Sequence, residues 1–263
     1  MTIALTGLAI VVVAVLVTLV CIYIVRHWIP EDVKGQASDS WAIFAFCGVL
    51  YALVVGFVLS YALSGYQNSN ADVGAEANSV TGLSRVATLY AADDRDQIGH
   101  ELICYARAVI DDEWPRMTEG ERSELATAAT DRLIRSVGGL DRTSPNDAAL
   151  VSSLDRVREL SETRAARLQA STDNLPLMFW LFMIIGGLIL CLYATVLAGR
   201  ERPFGQFIYI LPVALLLLSS MYLVASFERP FGGPNAIEPT AMESSLESVV
   251  GFIPDPRADR PCP

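Results

Sequence analysis

The chain has 263 residues, 52% of them hydrophobic, with 19 basic against 29 acidic side chains and a formal net charge of −10 at pH 7. That balance argues against nucleic acid as a partner, because phosphate binding rests on clustered Lys and Arg. The apolar fraction and positive mean hydropathy argue against an ordinary soluble globule and for a membrane protein that carries a substantial wet part.

Residues 3–25 form the first apolar run, without Asp, Glu, Lys or Arg, and are long enough to cross ~30 Å of hydrocarbon as a helix. The opening MTIALTG lacks the basic region of a secretory signal, so the run is read as a retained span. The second run covers residues 41–64. Within it Gly48, Ala52 and Gly56 stand four apart, small residues that let helices approach closely.

Beyond Gly56 come Ser60, Ser64, Gln67 and Asn68, then Asp72 and Glu76, with no proline between them. The pattern predicts one long helix that leaves the membrane and changes from small to hydroxyl to amide to carboxylate. Ser60, Ser64, Gln67 and Ala71 fall on one helical face. If several subunits turn that face to a common axis, Gly56, Ser60, Ser64, Gln67 and Asn68 line a water-filled cation path with Asp72 and Glu76 at its acidic mouth. The other reading is a helix packed inside its own subunit, with its serines bonded to backbone.

Residues 65–174 carry nineteen acidic residues against twelve arginines and no lysine, a field that concentrates cations or simply keeps the domain soluble. Their apolar period is helical throughout. DDRDQIGHELICYARAVIDDEW sets Ile98, Leu102, Tyr105, Val109 and Ile110 on one face behind acidic residues that suit a helix start. TEGE at Thr118 reads as a capping box, SPND at Ser144 as a cap followed by proline, and DNLP at Asp173 as the cap launching the third span. With the extension of helix two, this predicts a bundle of about four helices.

The last two spans are residues 177–198 and 206–227. Glu-Arg-Pro-Phe-Gly occurs on both sides of the fourth, from Glu201 and from Glu228. Each copy reads as a membrane border: the charges tolerate headgroups but not the bilayer centre, and Pro and Gly stop the helix. The division is residues 1–64 for spans one and two, 65–175 for the bundle, 176–228 for spans three and four, and 229–263 for the tail. Arg26, Lys34, Arg200 and Arg202 near one set of span ends face Arg164, Arg167 and Arg229 near the other, which leaves the orientation open. Four spans put the amino terminus, bundle and tail on one side.

Calcium takes ~6 to 8 oxygen ligands, and four places offer carboxylates: Asp93, Asp94 and Asp96; Asp111, Asp112 and Glu113; Glu243 and Glu247 on a short tail helix; and rings of Asp72 or Glu76 contributed by several subunits. Each of the first three also reads as an ordinary helix end or wet face. Enzyme motifs are missing: His27 and His100 have no second ligand at metal-binding spacing, and there is no nucleophile elbow, phosphate loop or C-x-x-C pair. Cys21, Cys47 and Cys191 read as small apolar fillers within spans. A disulfide between Cys104, inside an amphipathic helix, and Cys262 is open but has no support in the spacing; Cys262 lies in a Pro-rich tail, GFIPDPRADRPCP, that reads as disordered.

EANSVTGLSRVA after span two and FERPFGG after span four resemble the paired signatures of the bacterial bestrophin-like family of four-span membrane proteins, at Glu76, Ala77, Asn78, Arg229, Pro230, Phe231 and Gly233. The chain differs from the usual pattern at Glu228, where Asp is common, and at Gly232, where Ser is common. The family includes a bacterial calcium-activated cation channel. The resemblance implies a homopentamer in a cell membrane, the second span around the pore, inorganic cations as the permeant species and calcium as regulator. It also motivates a gating contact in which Glu228, Arg229 and Phe231 meet Glu76. The expectation is an all-α, four-span ion channel with an inserted helical bundle; a membrane-anchored sensor or interaction module is the alternative, and a transporter comes third.

Overall fold

The computed structural model describes residues 2–30, 38–140, 147–199, 201–233, 235–252 and 261–262. Lys34, Arg200, the cap at Ser144 and most of the Pro-rich tail lie outside the described residues. The described residues are helical and contain no strand: α1 (Thr2–Trp28), α2 (Ser38–Ala87), α3 (Ala92–Ala108), a π-helical turn (Val109–Glu113), α4 (Trp114–Met117), α5 (Glu124–Gly138), α6 (Asp147–Thr172), α7 (Leu177–Leu197), α8 (Pro203–Glu228) and α9 (Thr240–Phe252). Among the described residues four helices, α1, α2, α7 and α8, are long and apolar enough to cross a membrane.

The chain divides into two compact units, Met1–Ser64 with Asn174–Glu228, and Gly65–Asp173 with Arg229–Pro263. In the first, large apolar side chains such as Leu8, Phe46, Phe57, Ile189 and Leu216 are exposed, as a lipid solvent allows. Its helices pack through small residues. A Cβ added at Gly186 would come within 2.8 Å of the Tyr51 ring, whose hydroxyl donates to the Met183 carbonyl at 2.8 Å.

The two copies of Glu-Arg-Pro-Phe-Gly act in opposite ways. In the first, Pro203 opens α8, where its missing N–H costs nothing; the copy starts a helix, and does not stop one as expected. Next to it Gln206 accepts from Arg26 Nε at 3.0 Å, and the Glu201 carbonyl accepts from Arg26 Nη2 at 3.1 Å, which ties α8 to α1. In the second copy α8 ends at Glu228, and Pro230 follows outside it. Glu228 Oε1 accepts from the Leu175 backbone N–H at 2.8 Å and from Trp180 Nε1 at 3.3 Å. The start of α7 is thus fixed by Glu228, with Pro176 and not Asp173 at its N-cap.

The second unit is a helical bundle with one core, drawn from the extension of α2, from α3, α5 and α6, and also from the tail through Phe231, Ile237, Met242 and Val249. Ile98, Leu102, Tyr105 and Val109 are buried as their spacing predicts. The TEGE capping box does not form. Thr118 to Glu121 follow α4, Gly120 takes φ +76°, and the Glu121 N–H closes back on the Arg116 carbonyl at 3.1 Å, so the segment terminates a helix. The N-cap of α5 is Ser123, whose Oγ accepts from the Ala126 N–H at 3.0 Å.

Candidate functional site

At the centre of the bundle four charged side chains are packed where the helical repeat places apolar ones. Along α6 the residues Ala149, Ser153, Val157, Leu160, Arg164, Arg167 and Leu168 are buried, one stripe that recurs every three or four residues with two guanidiniums near its C-terminal end. Arg167 is 0% exposed. Its Nε donates to Glu76 Oε2 at 2.7 Å, and its Nη2 donates to Glu76 Oε1 at 3.1 Å and to Glu113 Oε2 at 2.9 Å. Arg164 donates to Glu113 through Nε at 3.1 Å and Nη2 at 2.6 Å, and reaches Thr127 Oγ1 at 3.1 Å. Two carboxylates and two guanidiniums neutralise one another, which burial requires.

Local structure delivers each partner. Glu113 ends the π-helical turn, in which the Trp114 N–H reaches back five residues to the Val109 carbonyl. Pro115, next in the chain, has no N–H for a regular α-helical bond. The wider turn rotates Glu113 inward while Asp111 stays exposed. Tyr105 on α3 donates to Glu76 Oε1 at 2.6 Å. Complete burial, and then the neighbouring Glu76 charge, hold the Tyr105 hydroxyl well above the ordinary tyrosine range. Burial alone would lower the pKa of Arg167; attraction to Glu76, Tyr105 and Glu113 outweighs it, and the guanidinium stays charged.

The network reaches the second family signature through an aromatic stack. Arg167 Cζ lies 5.1 Å from the centroid of the Trp114 ring, and Phe231 meets Trp114 edge-on with centroids 5.8 Å apart at 87°. Trp114 Nε1 donates to the Ile237 carbonyl at 3.1 Å. Glu76 and Phe231 are therefore joined through Arg167 and Trp114. Arg229 itself is exposed, and Glu228 serves α7 and not this network.

The remaining site residues are distributed differently. Gly56, Ser60, Ser64, Gln67 and Asn68 on α2 are each exposed, and a Cβ added at Gly56 would meet nothing within 4 Å. Asp72 is half-buried. Asp93 and Asp94 occupy the first turn of α3, Asp96 pairs with Arg95 at 3.0 Å, and Glu243 and Glu247 are exposed on α9. Asp112 pairs with Arg116 at 2.9 Å and accepts from Ser123. Among the described residues no three His, Cys, Asp or Glu side chains converge as a metal cluster. Glu76, expected as a free carboxylate at a pore mouth or a metal ligand, has both oxygens engaged within the bundle. In the sequence Arg164 and Arg167 read as span-end charges and Glu113 as a calcium oxygen; the signal that marks the arginines as core residues is their place on the apolar stripe of α6.

An all-helical chain with four bilayer-length helices and a charged-core bundle inserted between the second and third defines a class of membrane protein. Residues 12–242 match the Bestrophin-like domain, and the chain belongs to the Bestrophin-like family. No curated protein matches its sequence. Among solved structures it is similar to two single-substitution variants of a bacterial bestrophin homologue from Klebsiella pneumoniae. One is 16% identical, with a TM-score of 0.74, over 95% of this chain and 99% of that one; the other is 17% identical, with a TM-score of 0.74, over 94% and 99%. At this identity the likeness concerns the fold.

Proposed function

We propose that the protein is an oligomeric ion channel, a homopentamer that conducts inorganic cations through a pore lined by α2 and is activated by calcium. The observation that carries this reading is the face of α2 left uncovered by its own chain. Gly56, Ser60, Ser64 and Gln67 are exposed, and small, hydroxyl and amide side chains in series suit a wet pore better than a lipid surface. Membership of the Bestrophin-like family supports the same reading, as does the acidic charge of the chain, which favours cations.

Calcium enters this proposal through oxygens from more than one subunit, since Glu76 and Glu113 are held by arginines. Asp72 and Asp94, both half-buried, and the exposed Asp93, Glu243 and Glu247 are the candidate ligands, completed by backbone and water oxygens. The buried network is the coupling element, through which a change at α6 or the tail moves the extension of α2. The test is purified protein in liposomes, with cation and anion flux recorded while calcium is titrated on each side. Calcium-dependent cation flux that falls on replacing Ser60, Ser64 and Gln67 with leucine supports the channel. Silence in verified oligomers favours the alternative of a membrane-anchored sensor.

A further inference from the structure

Cys104 and Cys262, 158 positions apart, form a disulfide. Its two halves differ: Cys104 is 1% exposed on α3, inside the bundle, whereas Cys262 is exposed. The bond sits ten positions beyond the end of α9, the helix that the tail lays on the bundle. Met242, Ser245 and Val249 are the buried face of α9. Ser245 Oγ bonds to the Ala77 carbonyl at 2.9 Å and to Thr81 Oγ1 at 3.0 Å, and Arg85 lies 5.5 Å from the Phe252 ring centroid. A helix of 13 residues held by so few side chains is marginal alone, and a covalent tie at its far end restricts its escape.

We propose that the Cys104–Cys262 disulfide is a thiol-reactive anchor for α9, opened by dithiols from its exposed Cys262 side. The thiolate of the dithiol attacks Cys262 Sγ, the only sulfur of the pair presented to solvent. The bond between the two sulfurs breaks, its electron pair goes to Cys104 Sγ, and a mixed disulfide forms on Cys262. The second thiol of the reagent then displaces Cys262 as a thiolate and leaves as a cyclic disulfide. Both protein thiolates take protons from water, so the reagent loses two electrons and the cystine gains two.

The structure places a stabiliser at the leaving sulfur. His100 Nε2 is 3.6 Å from Cys104 Sγ, one helical turn away on α3, and its buried Nδ1 has no hydrogen-bond partner among the described residues. In the tautomer protonated at Nε2, the imidazole donates to the thiolate as it forms. Oxidised, the anchor keeps α9 across α2 and α3; reduced, it leaves α9 to its own few contacts. Its state therefore follows the thiol poise of whichever compartment holds the bundle.

The test uses the full chain in lipid nanodiscs and does not depend on ion flux. Hydrogen exchange of residues 240–252 is compared before and after dithiothreitol, and in Cys262→Ser. Exchange about tenfold faster on reduction, matched by Cys262→Ser with no further response to dithiothreitol, is the expected result for loss of a covalent tie. A monothiol such as glutathione should give an adduct on Cys262. In His100→Asn, opening by dithiothreitol should slow about tenfold, the worth of one hydrogen bond to a charged sulfur. Alkylation of both cysteines without reductant, unchanged protection of 240–252 on reduction, or an adduct on Cys104 overturns the anchor. An unchanged opening rate in His100→Asn overturns the role of the imidazole.

Discussion

Arg167 and Glu76, 91 positions apart, meet in a two-point ion pair that is fully buried on both sides. Through it α6 grips the extension of α2, the helix proposed to line the pore. Removing one member of a buried pair costs about 3–5 kcal/mol, whereas replacing both with apolar groups can be neutral. Arg167→Met should therefore lower the unfolding midpoint of the purified protein sharply. Arg167→Met combined with Glu76→Met should recover a large part of the loss. A single variant as stable as the parent would falsify the clamp.

Tyr105 gives the network a pH signature. Its folded pKa is raised, by burial first and by Glu76 second. The stabilisation is therefore present in full below the unfolded tyrosine value of about 10 and is lost as pH rises through the higher folded value. Spectroscopic titration should show one tyrosine that ionises only as the bundle unfolds, and Tyr105→Phe should remove that component. A tyrosinate signal from Tyr105 in folded protein within the ordinary range contradicts this.

Asp112 acts in the opposite direction. Hydrogen bonds from Ser123 and Arg116 lower its pKa, so its contribution is present above the unfolded aspartate value and is lost as pH falls through the folded one. Ser123 also caps α5, and Ser123→Ala should cost about 1 kcal/mol at neutral pH. The loss should shrink in acid, where Asp112 no longer needs the hydroxyl; equal losses at both pH values count against the coupling.

The second signature separates into two roles. Phe231 is 2% exposed against Trp114, and Phe231→Ala should destabilise the bundle by about 3–5 kcal/mol. Arg229 is exposed, so Arg229→Ala should change stability by no more than about 0.5 kcal/mol. It should leave assembly intact and alter the open probability in single-channel recording; an unchanged open probability removes Arg229 from gating.

The four spans, the helical insertion and both charged borders were legible in the sequence because each is a local property. Hydrocarbon thickness sets a length, and a helix sets a period of 3.6, so a window of twenty residues contains the answer. What a charge does when buried is not local. Arg164 and Arg167 look like span-end cations until Glu76 and Glu113 arrive from other helices, and Glu113 is buried at the end of a π-helical turn that precedes Pro115. Identical pentapeptides start α8 at Pro203 and follow its end at Glu228, since proline is tolerated in the first turn of a helix and just past its end but cannot continue one. The tail joins the core, and Cys104 finds Cys262, through long-range packing that no spacing encodes. Local patterning is enough to say which segments are helical and which are apolar; which polar groups become partners depends on the folded packing, because desolvation makes a buried charge depend on a neighbour that can lie anywhere in the chain.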